Sequence, residues 1–187
     1  MKDPEFIEDR LKRGQQAKEK VEKTFSSLTV EQLNWKPSAT SWSIAECLEH
    51  LIISDRLYFD DLRTIAAGTY RMTFWNKYSP FSGLLGRALK DQMKEQVKRK
   101  MTTPQKLTPV SSAYGLDLLD TYKSNLGEFM SLVSRCREID LDKCIISSPA
   151  MRWVTYSLRD ALEFLFEHEH RHINQAIRVK ETVGFPN

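Results

Sequence analysis

Apolar residues return every three to four positions along four stretches of the chain, the spacing of one face of an α-helix. The first stretch runs from Pro4 to about Phe25, with Phe6, Ile7, Leu11, Ala17, Val21 and Phe25 set among charges. Pro37 and a polar cluster then interrupt the period, and the chain reads as a loop as far as Ser43. Ser43-Ile44-Ala45-Glu46 has the form of a capping box, so a second helix opens there and is expected to run to Gly68. Leu48, Leu51, Ile52, Tyr58, Phe59, Leu62 and Ala66 fall within about 80° of one direction on it. A third stretch places Leu116, Leu119, Tyr122, Leu126, Phe129, Met130 and Val133 on one face and ends near Arg137. A connection through Pro149 leads to Ser157-Leu158-Arg159-Asp160, a second cap-like sequence that opens a fourth helix to about Thr182, with Gly184 and Pro186 beyond. Four helices of about 22 to 26 residues with no strand alternation predict an all-α protein, an up-down four-helix bundle whose cofactor sites are built from inward-facing side chains.

The stretch between the second and third helices is less regular. Tyr70, Phe74, Trp75 and Tyr78 lie in a turn-prone segment, Leu84 to Met101 has a mixed helical pattern, and residues 102–109 form a clear break. The basic run Lys94, Lys98, Arg99 and Lys100 is diluted by Asp91 and Glu95 and reads as a solvated helix face.

Composition narrows the class. At 187 residues the chain suits one domain over 1–187, and 41% hydrophobic residues suffice for a core. Seven Gly and seven Pro are too few for a turn-rich sandwich or barrel. A formal charge of +3 is too small to point to nucleic acid or anionic lipid, so neither a nucleic-acid nor a membrane partner is expected. Neither a secretory leader nor an uncharged apolar stretch long enough to span a bilayer is visible. Three cysteines, Cys47, Cys136 and Cys144, lack C-x-x-C spacing and read as reduced thiols, so a cytoplasmic location is expected.

Chemistry concentrates in the histidines. Three of the four, His168, His170 and His172, lie within five residues of the last helix. At 100° per residue His168 and His172 are about 40° apart and can share one ion, whereas His170 lies about 160° from either. The pair falls at the flank of the apolar stripe, and His50 holds a similar flank on the second helix, so the two flanks have the makings of one cleft. A solvated polar turn is the plain alternative for the pair. Imidazoles suit divalent transition metals, and three protein ligands leave an open position for water or substrate.

His168-Glu169-His170-Arg171-His172 also satisfies H-E-x-x-H, but Gln175 and Arg178 stand where the extended peptidase motif needs Gly and His. A peptidase is therefore disfavoured. Glu169 and Asp55 both fall among apolar neighbours, either as groups that orient imidazoles or, preferably, as core residues paired with an Arg of another helix. Cys47 reads as a small core thiol.

Trp42-Ser-Ile-Ala-Glu-Cys-Leu-Glu-His-Leu51, the break from Thr103 to Pro109 and His168-x-x-x-His172-x-x-Gln175 together resemble the DinB-like superfamily. The resemblance spans most of the chain. It implies a metal-binding four-helix bundle, often dimeric, with a divalent cation, zinc or nickel foremost, held by His50, His168 and His172. It also implies a small-molecule substrate and either thiol-dependent S-transfer, using a low-molecular-weight thiol such as bacillithiol, mycothiol or glutathione, or hydrolysis. A non-catalytic dimeric metal-binding or stress-response bundle is the alternative.

Overall fold

The computed structural model describes residues 2–79, 104–111 and 113–187. Four long helices carry it: α1 (Pro4–Phe25), α3 (Ile44–Ala66), α5 (Asp117–Ser134) and α6 (Leu158–Lys180). Between them lie the short helices α2 (Val30–Asn34) and α4 (Phe74–Tyr78), a 3-10 turn at Gln105–Leu107, and the strands β1 (Ile145–Ser147) and β2 (Thr155–Ser157). No helix among the described residues is long and apolar enough to cross a membrane.

Three of the four long helices start where a side chain satisfies a first free amide; α5, which follows Leu116, has no such cap. Asp3 accepts from the Phe6 amide with Pro4 in the first turn. Ser43 accepts from the Glu46 amide at 3.1 Å while Glu46 accepts from the Ser43 amide at 2.8 Å, the reciprocal capping box. Ser157 likewise accepts from the Asp160 amide at 3.0 Å. At the far end of α3 the chain turns out through Gly68, whose φ of +71° lies in the left-handed region that side chains disfavour.

Helix α3 packs on α5 and α6, and α1 packs on the same two, so α1 and α3 stand at opposite corners of the bundle. The fully buried side chains Phe25, Leu48, Leu51, Tyr122, Phe129 and Phe166 come from all four helices and meet in one core. Gly14 lets α1 approach closely: a Cβ there would lie 2.8 Å from the Phe166 ring and 2.9 Å from Met130 Sδ.

The all-α bundle agrees with the expectation, with additions in the connections: α4 lies in the segment read as turn-prone and the 3-10 turn in the stretch read as a break. The polar stretch read as a loop contains α2, capped by Thr29 and Gln32 in a second capping box. The connection before α6, read without strands, holds an antiparallel β1–β2 pair in which Ile146 faces Tyr156. Three-residue strands show too little alternation to register as a period. The mixed pattern from Leu84 to Met101, with the basic run Lys94 to Lys100, lies outside the described residues.

Candidate metal centre

His50 sits two turns into α3, and its position follows from the Ser43 cap that fixes where the helix begins. His168 and His172 sit one turn apart in the middle of α6. Because α3 and α6 pack together, the two flanks close on each other, and one ring nitrogen from each of the three imidazoles lies within 4.8 Å of the other two. Ring centroids are 4.9 Å apart for His50 and His168, and 4.5 Å for both His50–His172 and His168–His172.

The protons on these rings are constrained by their neighbours. His50 Nδ1 lies 2.7 Å from the carbonyl of Leu107, in the 3-10 turn. A carbonyl only accepts, so Nδ1 carries the proton and Nε2 presents a lone pair to the cluster. That Nε2 faces His168 Nε2 at 3.0 Å, a spacing that needs either a proton or a cation between the two nitrogens. Ligand atoms about 2.1 Å from one ion at angles of about 90° to 110° are about 3.0 to 3.4 Å apart. The His50–His168 pair already meets that spacing. The Nδ1 of His172 is buried with no hydrogen-bond partner.

Burial holds all three rings neutral. It lowers the pKa of His50 below the usual imidazole range, against the opposing bond to Leu107. Burial lowers His168 well below that range, reinforced by His172, His50 and Arg171. His172 is lowered to about 3, by burial first and then by His50 and Arg171. Neutral imidazole is the ligating form, so the donor set fits a divalent transition metal without first losing protons. The indole of Trp42 lies against the cluster, 4.9 Å from the His50 ring and 5.7 Å from the His172 ring.

His170 is separate, as its angle predicts: its Nε2 lies 3.1 Å from the Arg13 carbonyl. Cys47 is buried, and burial pushes its thiol up to about 12, so it stays protonated in the core. The two buried acids depart from expectation, because no Arg among the described residues pairs directly with either. Tyr122 donates to Glu169 Oε2 at 2.6 Å, and Asn125 donates to Asp55 Oδ2 at 3.1 Å. Arg56 reaches Asp55 only through Asn125, donating to its Oδ1 at 3.0 Å. Burial raises Asp55 well above the carboxylate range, with Glu169 adding to it, and raises Glu169 to about 7. Burial disfavours the charged form of both acids, and Asn125 and Tyr122 satisfy them without a guanidinium in the core.

Sequence reasoning did not place Trp42 and the Leu107 carbonyl at the cluster. The tryptophan was legible in principle, since it directly precedes the cap of α3, a position whose apolar side chain often folds back over the first turns. The carbonyl was not, because every residue has one.

The chain is 27% identical over 160 residues to a protein of Bacillus subtilis (strain 168) named "Uncharacterized protein YuaE", an alignment covering 83% of this chain and 88% of the relative. No solved structure matches it. The family model described as DinB superfamily matches residues 13–176, a span that includes all three imidazoles, and the chain belongs to the DinB superfamily.

Proposed function

We propose that the chain is a divalent-metal-dependent enzyme in which His50, His168 and His172 hold the ion, zinc or nickel, and that its reaction is transfer of a small thiol to an electrophilic substrate. The observation that carries the reading is the convergence of three neutral imidazoles with no carboxylate or thiolate joining them among the described residues. Three neutral ligands make an open site rather than a closed structural one. A divalent cation held there supplies Lewis acidity, which keeps a bound thiol or water deprotonated near neutral pH.

The chain's own residues supply orientation and dryness. Leu107 fixes the tautomer and the direction of His50, Trp42 screens one side of the rings, and the core of α3 and α6 excludes water behind them. The cysteines supply no nucleophile: burial raises Cys47 and Cys136 to about 12 and Cys144 to about 11. The attacking group must come from outside the chain. Glu46 is held by Lys36 at 2.9 Å and by the Ser43 amide, and Glu169 is held by Tyr122. With both of these carboxylates engaged, thiol attack is favoured over hydrolysis, which needs a general base. In the transfer, the thiol loses its proton to solvent water, sulfur bonds to the electrophilic carbon, and the leaving group departs with the electron pair of the bond that breaks.

Conjugation of monochlorobimane with small thiols tests this. Zinc- or nickel-loaded protein is expected to accelerate it, and His50→Ala, His168→Ala and His172→Ala to abolish the acceleration together with metal content, while His170→Ala retains both. Full metal content with no conjugation of any thiol and no hydrolysis of esters or amides would instead support the non-catalytic metal-binding bundle.

A further inference from the structure

Helix α4 turns the opposite way from an ordinary surface helix. Its buried residue is polar: Asn76 is 3% exposed, and its Nδ2 donates to the Ile145 carbonyl at 3.0 Å and the Ser147 hydroxyl at 3.3 Å. Phe74 and Tyr78 lie about 160° around the helix from Asn76. They are 78% and 68% exposed, with ring centroids 4.7 Å apart. Trp75 donates from Nε1 to the carbonyl of Trp153 at 2.8 Å, which ties α4 to the β1–β2 turn. Trp153 is itself 63% exposed, and Met151 in the same turn is exposed as well. A hydrogen-bonded asparagine thus turns Phe74 and Tyr78 outward, where packing alone would have turned them in, and Trp75 links them to the exposed Met151–Trp153 turn.

Basic residues outnumber acids around this face, where Asp61 feels the charge of Arg152. Arg71 and Lys77 flank the aromatic residues on α4's segment, Arg152 stands between Met151 and Trp153, and all three are exposed.

We propose that this face docks on an anionic phospholipid surface. Trp and Tyr are the side chains that settle at the headgroup level, with an apolar body toward the acyl chains and a polar edge in water. Basic residues around them are attracted to acidic headgroups. A second copy of the chain fits less well, because a twofold interface sets a surface against itself and brings one basic rim onto the other. The small net charge that argues against a membrane partner is a whole-chain sum, whereas docking depends on the local distribution. The inference is independent of the metal site.

Flotation of the full-length protein with phosphatidylcholine vesicles, with and without about one-third phosphatidylglycerol, tests it. The bound fraction is expected to rise at least about ten-fold on the anionic vesicles and to fall back in high salt. Phe74→Ser/Tyr78→Ser and, separately, Lys77→Glu/Arg152→Glu are expected to lose that gain with unchanged circular dichroism. Should the serine variant misfold, the wild-type protein still decides: brominated anionic lipid is expected to quench its tryptophan emission, and Trp153→Phe to remove much of that quenching. No enrichment on anionic vesicles, enrichment that both variants retain, or variants that convert a dimer to monomers without changing flotation would overturn the proposal.

Discussion

The carbonyl of Leu107 decides which nitrogen of His50 faces the cluster, and the neutral state of all three rings follows from burial. In metal-free protein this has a definite pH signature. An unfolded histidine binds a proton near about pH 6.5, but His172 in the native chain resists protonation down to about 3, and His50 and His168 are lowered as well. Their contribution is present above about 6.5 and lost as pH falls. Asp55 and Glu169 act with the opposite sign: both are raised, so their contribution is present below the ordinary carboxylate range and lost as pH rises, for Glu169 through about 7. Below about pH 4 the carboxyls are protonated folded or unfolded, so on the acid side only the imidazoles still change the balance. Urea unfolding of chelator-treated protein is therefore expected to show greatest stability near about pH 6 to 7, falling more steeply toward acid; a maximum below pH 5 contradicts the neutral cluster. Removing the hydroxyl that serves Glu169 gives a second test. Tyr122→Phe leaves a buried acid without its donor and is expected to cost about 2 kcal/mol in the same measurement, with metal content retained.

At the scale of the elements, two substitutions separate capping from packing. Ser43→Ala removes the acceptor for the Glu46 amide at the start of α3 and is expected to cost about 1 kcal/mol, read as a lower urea midpoint. Gly14→Ala sets opposing effects against each other. Helix propensity favours alanine by about 1 kcal/mol, but its Cβ would meet the buried Phe166 ring at 2.8 Å, and overpacking typically costs about 1 to 3 kcal/mol. The ring cannot swing away as Met130 can, so net destabilisation is expected, and a raised thermal midpoint would show that α1 sits farther out. The long helices were legible because the period of their apolar faces persists over five or more turns, and Ser43 and Ser157 mark their starts. Helix α2 also left a signal, Thr29 followed by Gln32 three residues on, but five residues carry no period to reinforce it. The β1–β2 pair is set by tertiary contact: α4 reaches it through Asn76 and α6 continues directly from β2. Ile145, Ile146, Val154, Thr155 and Tyr156 are strand-forming residues, but runs this short carry no period that announces strands.

At the scale of the whole molecule, the site depends on which helices become neighbours. The angle between His168 and His172 was readable from a single helix, as was the exclusion of His170. That His50 joins them required α3 and α6 to pack side by side, which no periodicity on either helix can state. The motif around Trp42 to Leu51 supplied that link by resemblance, whereas the identity of the partners of Asp55 and Glu169 had no such support and came out differently: Asn125 and Tyr122 in place of an arginine. The central claim is that three imidazoles from two distant parts of the chain hold one ion. X-ray absorption spectroscopy of zinc- or nickel-loaded protein, read with elemental analysis, tests it most directly. One equivalent of metal per chain with three imidazole nitrogens at about 2.0 to 2.1 Å, lost in His50→Ala and kept in His170→Ala, is the predicted result. Metal bound at full stoichiometry in the His50→Ala protein, or no metal retained by the wild type, would contradict it.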